Sequence, residues 1–316
     1  MNVQYIEPLK KAIRRMKAAL FKPFDMSKWF ILGFTAWLAG LLDGGGRFSY
    51  NRNFPTSSPP SEAFEELSAL PQQAWQWLMD NPFWFYMIIA GIAIFFVLII
   101  VFLWLSSRGK FMYLDNIMHD KAEVKNPWRK YKHLGDSLFI WRLCYTLICL
   151  LFVALMGVMF YMWGWPIIRD GNASLSFIPF LIVGGLVVFV FFIAIALISF
   201  FLENFIVPIM YTYDMTTMKA WRKFLPLFYS HIGWFILYGL FVLVLFIAVG
   251  LGLLIAFCLT CCILLLLCII PYIGSVVLLP LTYTYRAFSI EFLSQFDEQI
   301  GFPVKTEVVV PSPENL

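Results

Sequence analysis

Apolar residues in this chain fall into long unbroken runs, separated by short polar and basic stretches. A helix rises 1.5 Å per residue, so a run of roughly twenty apolar residues matches a bilayer's hydrocarbon core of about 30 Å. The runs predict about six spans, near Met26–Leu42, Phe83–Leu105, Leu138–Met162, Phe177–Leu202, Trp234–Phe257 and Cys261–Phe292. From Ile232 to Leu281 the chain is apolar throughout. That is too long for one span and predicts two helices joined by a tight turn, just before Cys261 or at Pro271–Gly274. Apolar positions do not alternate with polar ones, which excludes an outer-membrane barrel. The predicted fold is all-α, a polytopic transmembrane helical bundle.

The polar stretches have patterns of their own. Ile6, Leu9, Ile13, Met16 and Leu20 step by three and four, giving one apolar stripe, while Lys10, Lys11, Arg14, Arg15 and Lys17 take the other faces. This predicts a basic amphipathic helix over residues 1–25, either lying on an anionic leaflet or serving as the topogenic flank of the first span. Gly44-Gly45-Gly46 ends the first run, and Ser61 after two prolines caps a surface helix carrying Phe64, Leu67, Trp75, Trp77 and Leu78. Asn126-Pro127 reads as a helix start and Asp136 as the cap of the third span. Residues 26–295 form the transmembrane domain, and 296–316 a mobile cytoplasmic tail.

Span starts recur. Trp29-Phe30-Ile31-Leu32 and Trp234-Phe235-Ile236-Leu237 match, with Leu138-Phe139-Ile140-Trp141 a close variant. Trp128-Arg129-Lys130-Tyr131 and Trp221-Arg222-Lys223-Phe224 precede two of them. Pro208-Ile209-Met210-Tyr211-Thr212-Tyr213 and Pro280-Leu281-Thr282-Tyr283-Thr284-Tyr285 share the pattern Pro-x-x-Tyr-Thr-Tyr. These words predict three parallel two-helix repeats, each with an amphipathic interfacial elbow.

Composition agrees. Of 316 residues, 61% are hydrophobic and 13% charged, against roughly 45–50% and 25% in soluble domains. Nineteen of the 23 Lys and Arg residues fall in connectors on one side of the predicted spans and three on the other. The positive-inside rule then places both termini in the cytoplasm. With a net charge of only +4 and no basic polar domain, nucleic acid is excluded as a partner. The partners implied are the bilayer, with its anionic headgroups, and another membrane protein. The first apolar run opens only near Trp29, after a charged helix, so a cleaved leader is not expected.

Candidate chemistry is sparse. Cys258, Cys261, Cys262 and Cys268 lie in a Leu/Ile run without polar support, so they read as small buried hydrophobes, and no metal or cofactor is implied. Asp115, His119 and Asp120 form the densest titratable cluster, with Asp115 and His119 one helical turn apart. That spacing suits a proton-transfer or ligand site, and equally the wet face of an elbow helix. His133 and His231 sit at connector ends. Asn172-Ala-Ser174 has the form of a glycosylation sequon. Mid-span charge is almost absent. Arg142, Glu203, Arg286 and Glu291 fall at one depth near the cytoplasmic ends, predicting a polar belt in which Arg142 pairs with Glu203 or Glu291.

The span starts, the WRK elbows and the closing words Pro271-Tyr272-Ile273-Gly274, Leu278-Leu279-Pro280 and Arg286-Ala287-Phe288-Ser289 resemble an uncharacterised bacterial six-span membrane family. They are loosely similar to the membrane domain found beside glycerophosphodiesterases. The resemblance runs from about Phe21 to Phe296. It implies the fold and a bacterial inner-membrane location, but no catalytic residue. Three functions stay open. A non-catalytic scaffold, lipid-organising element or accessory subunit fits best; a transporter, channel or lipid-moving protein without central ion coupling is the alternative. A lipid-acting enzyme built on Asp115, His119 and Asp120 is the third.

Overall fold

A computed structural model describes residues 3–41, 76–164, 177–260, 267–268, 270 and 272–303. Among these, every regular element is helical. In chain order they are α1 (Ile6–Phe21), α2 (Met26–Ala39), α3 (Pro82–His119), α4 (Lys125–Lys130), α5 (Lys132–Met159), α6 (Phe177–Phe201), α7 (Val207–Tyr213), α8 (Thr217–Ser230), α9 (Ile232–Leu259), α10 (Ile273–Val277) and α11 (Leu279–Leu293). A π turn, Phe160–Gly164, extends α5, and a second, Leu202–Ile206, joins α6 to α7.

Four helices are long and apolar enough to cross a membrane: Pro82–His119, Lys132–Trp163, Ile182–Tyr213 and Ile232–Leu259. Their most apolar stretches are almost wholly exposed, among them Phe95, Leu151, Ile182 and Phe246. Such area in water would cost about 25 cal/mol per Å² relative to burial, so these surfaces require an apolar covering.

Packing is concentrated at one end of the four helices, in a base. α3 shows the division. Its 38 residues, about 57 Å long, run apolar and exposed from Phe83 to Phe102 and then enter protein, with Ser106 to Ile117 buried. Leu134, Gly135 and Leu138 of α5, Phe205 to Met210, Ala220 and Phe224 of α8, and Phe235 and Tyr238 of α9 are buried with them. α11 passes through the middle, burying Arg286 to Leu293. The centre is aromatic: Tyr238 stacks on Phe292 at 4.3 Å between centroids, and Phe205 stacks on Phe224 at 5.4 Å.

Two predicted spans are not among these four. α2 has fourteen residues, about 21 Å, which is short of the hydrocarbon core. It runs antiparallel to the buried half of α3. Lys28 reaches Asp120 at 2.9 Å, and Ser106 Oγ donates to the Ala39 carbonyl at 2.8 Å. The stretch expected as the sixth span is broken, with Tyr272 at φ 67° before α10 and with α11 only fifteen residues long. Hydropathy cannot separate apolar residues that face lipid from those that face protein. Leu32 and Leu38 of α2 are of the second kind.

The longer helices also exceed their predicted spans, because charge ends an apolar run without ending a helix. From Ser106 to His119 no Pro intervenes, and the helix stops only at Asp120, in left-handed conformation at φ 54°. α7 ends in the same way at Asp214, φ 48°. Asn126 and Pro127 lie within α4, and Asp136 lies inside α5, so neither Asn126 nor Asp136 is a cap. α1 packs on α11, with Pro8, Ala12, Ala19 and Leu20 buried and Ile6 exposed. The surface helix expected after Ser61 is described only at 76–80; Gly44–Gly46, the sequon, Cys261, Cys262 and the tail after Pro303 lie outside the described residues.

Candidate functional site

Two polar constellations occupy the base. The first centres on Asp115, buried on α3. Its Oδ1 accepts from Tyr131 Oη at 2.8 Å and Tyr211 Oη at 2.6 Å, and lies 3.2 Å from His119 Nδ1. Tyr131 stands at the α4–α5 junction and Tyr211 on α7, so one carboxylate ties three segments together. Burial pushes the Tyr131 phenol above its ordinary value, which keeps it a donor. Asp120 turns away to Lys28 and, with His119 and Arg15, borders a surface hollow of about 410 Å³.

The second constellation lies where α3, α5 and α6 leave the base, and a backbone irregularity builds it. In an α-helix the Val207 N–H would bond to the Glu203 carbonyl, but here it bonds to Leu202. The next donor in a π register would come from residue 208, which is Pro and has none. Arg286 Nη1 donates to the Glu203 carbonyl in their place, and its Nη2 stands 4.0 Å from the Glu203 carboxylate. Lys110, only 2% exposed, reaches the same carboxylate at 3.2 Å.

Glu203 therefore stands between two hollows. On one side a groove of about 570 Å³ is walled by Leu103 and Lys110 of α3, Arg142 and Tyr145 of α5, and Ser199 and Phe200 of α6. Arg142 donates to Ser106 Oγ at 3.2 Å. On the other side a smaller pocket, about 230 Å³, carries Arg286, Asn204 and Tyr285. The Tyr285 hydroxyl is buried with no hydrogen-bond partner.

Of the residues singled out in the sequence, Arg142, Glu203 and Arg286 are thus brought together around the two hollows. Glu291 accepts from Arg15 Nε at 2.8 Å, and Arg15 also lies over the Phe302 ring at 4.0 Å. Lys10, Lys11, Arg14 and Lys17 are exposed on α1. Sequence reasoning missed Ser106, Arg108 and Lys110, all assigned to a wet connector, and read Asp136 only as a helix cap. Arg108 bonds Asp136 at 2.8 Å and lies 4.3 and 5.1 Å from the ring centres of Trp104 and Trp128, which fixes the first WRK elbow to α3. The unbroken helical register after Leu105 was the available signal. Among the described residues no group of three His, Cys, Asp or Glu side chains could hold a metal ion.

In chemical terms, the groove presents cations at the foot of an apolar wall, an arrangement suited to binding an anion. Comparison with known proteins places the chain without giving it an activity. A model described as a family of unknown function (DUF7544) matches residues 3–300, and the chain belongs to that family. No curated protein and no solved structure matches it.

Proposed function

We propose that this member of a family of unknown function is a non-catalytic scaffold of a cell membrane, crossing the bilayer and holding its base against the cytoplasmic leaflet. One observation carries this: four apolar helices with exposed flanks converge on a base that gathers nearly all the described charged residues. The excess of Lys and Arg on that side supports a cytoplasmic base and both termini inside. Lys10, Lys11, Arg14 and Lys17, exposed beside it, suit anionic headgroups at about 1 kcal/mol each.

The connections favour six passes. α2 ends beside Ser106, yet α3 begins at Pro82, 24 residues or about 36 Å further up. α9 ends at Leu259, about 32 Å beyond Tyr238, yet α11 lies in the base. These separations support the reading of two further passes. The recurring WRK elbows and the matching ends at Asp120 and Asp214 support descent from a repeated hairpin. Asp115, bonded by two phenols and beside an imidazole, also serves as a structural tie between three segments, which suits a scaffold.

Fusing a fluorescent reporter that matures only in the cytoplasm to either terminus tests the orientation, and fluorescence is expected from both. A dark reporter at either end would overturn it. In proteoliposomes the purified chain should move neither ions nor lipids, and sustained flux or scrambling would replace the scaffold with a transporter.

A further inference from the structure

We propose that the groove between α3, α5 and α6 binds one anionic phospholipid, its phosphate held by Arg142 and Lys110 and an acyl chain laid along the apolar wall. This rests on the membrane-spanning reading and gives it a ligand.

The position of the groove selects the class of ligand. Its floor is in the base, at Lys110 and Glu203; its upper wall, at Ile99, Leu103, Ala196 and Phe200, continues into the exposed apolar stretches of α3 and α6. A soluble anion would gain nothing from that wall, whereas an amphiphile has one end for each part. Its size, about 570 Å³, suits a headgroup and the first part of a chain.

Charge selects the sign. Among the described residues lining the groove and the pocket behind it, Lys110, Arg142 and Arg286 surround a single carboxylate, Glu203. A lining with more basic than acidic side chains suits an anionic ligand. A phosphodiester supplies one negative charge and several acceptor oxygens. Arg142 is half-buried on the groove wall, which Tyr145 and Ser199 also line. The π turn contributes by occupying Arg286 with the Glu203 carbonyl, which holds that carboxylate between the two hollows.

The test uses the full chain, purified in mild detergent and offered phosphatidylglycerol and phosphatidylcholine in equal amounts. Retention is read by native mass spectrometry. One phosphatidylglycerol per chain is expected, with preference of about tenfold or more, the size of one charge-assisted contact. Arg142→Gln should lose that preference with an unchanged melting temperature, and Arg142→Lys should keep most of it. Changing Lys10, Lys11, Arg14 and Lys17 together to Gln should leave it intact, because those residues lie outside the groove. Equal retention of both lipids, or preference surviving in Arg142→Gln, would overturn the proposal. So would displacement of the lipid by about 10 mM inorganic phosphate, which would make this a free-anion site. Alkaline carbonate extraction of the membranes separates the two ideas. Release of the chain would defeat the membrane reading itself, whereas a chain that stays inserted without lipid preference defeats only the groove.

Discussion

Arg286 does two jobs with one planar group: it replaces a missing backbone donor at Glu203 and faces that residue's carboxylate. Lysine has the charge but not the fork. Arg286→Met should therefore cost about 1.5–3 kcal/mol, the range for losing a charge-assisted hydrogen bond, and Arg286→Lys should recover less than half. Thermal unfolding in one detergent, followed by near-UV circular dichroism, measures both. Equal loss in the two variants would mean that geometry matters more than charge. Arg286 and Glu203 were visible in the sequence as charges at the edge of apolar runs. Lys110 was not, because a lysine in a polar segment looks solvated unless the fold that buries it is already known.

At the scale of elements, α2 and α3 touch through a glycine. A Cβ on Gly109 would stand 2.8 Å from the backbone of Leu38 and Ala39, where real contacts do not occur. Gly109→Ala should destabilise by about 1–3 kcal/mol as the helices are forced apart. Gly91, on the same helix, has open space around it, and Gly91→Ala should be neutral or gain up to about 1 kcal/mol. Parallel melts of the two variants check the contrast, and similar losses would show that α2 does not approach α3 this closely. The four long helices were legible from apolar runs alone. The boundaries were not, because hydropathy records where side chains dislike water and not where the backbone stops coiling. For the same reason α2 reads as a span, although its Leu32, Leu38 and Ala39 are buried in protein.

For the whole molecule, cohesion resides in the base. Hydrogen–deuterium exchange on moving the chain from nanodisc to detergent should leave 106–117 and 286–293 protected, with exchange changing by less than about tenfold. The outer half of α5, around 147–159, should lose protection by more. The opposite pattern would place the stability of the fold in its spans.

Helices anchored mainly at one end also have a mechanical meaning. From Tyr238 to Leu259 α9 projects about 32 Å from its anchorage, so a swing of about 10° at the root displaces the tip by about 5 Å. The base is a fulcrum and the spans are cantilevers. Their separation at the far leaflet is then set less by the protein than by the lateral pressure and thickness of the lipid between them.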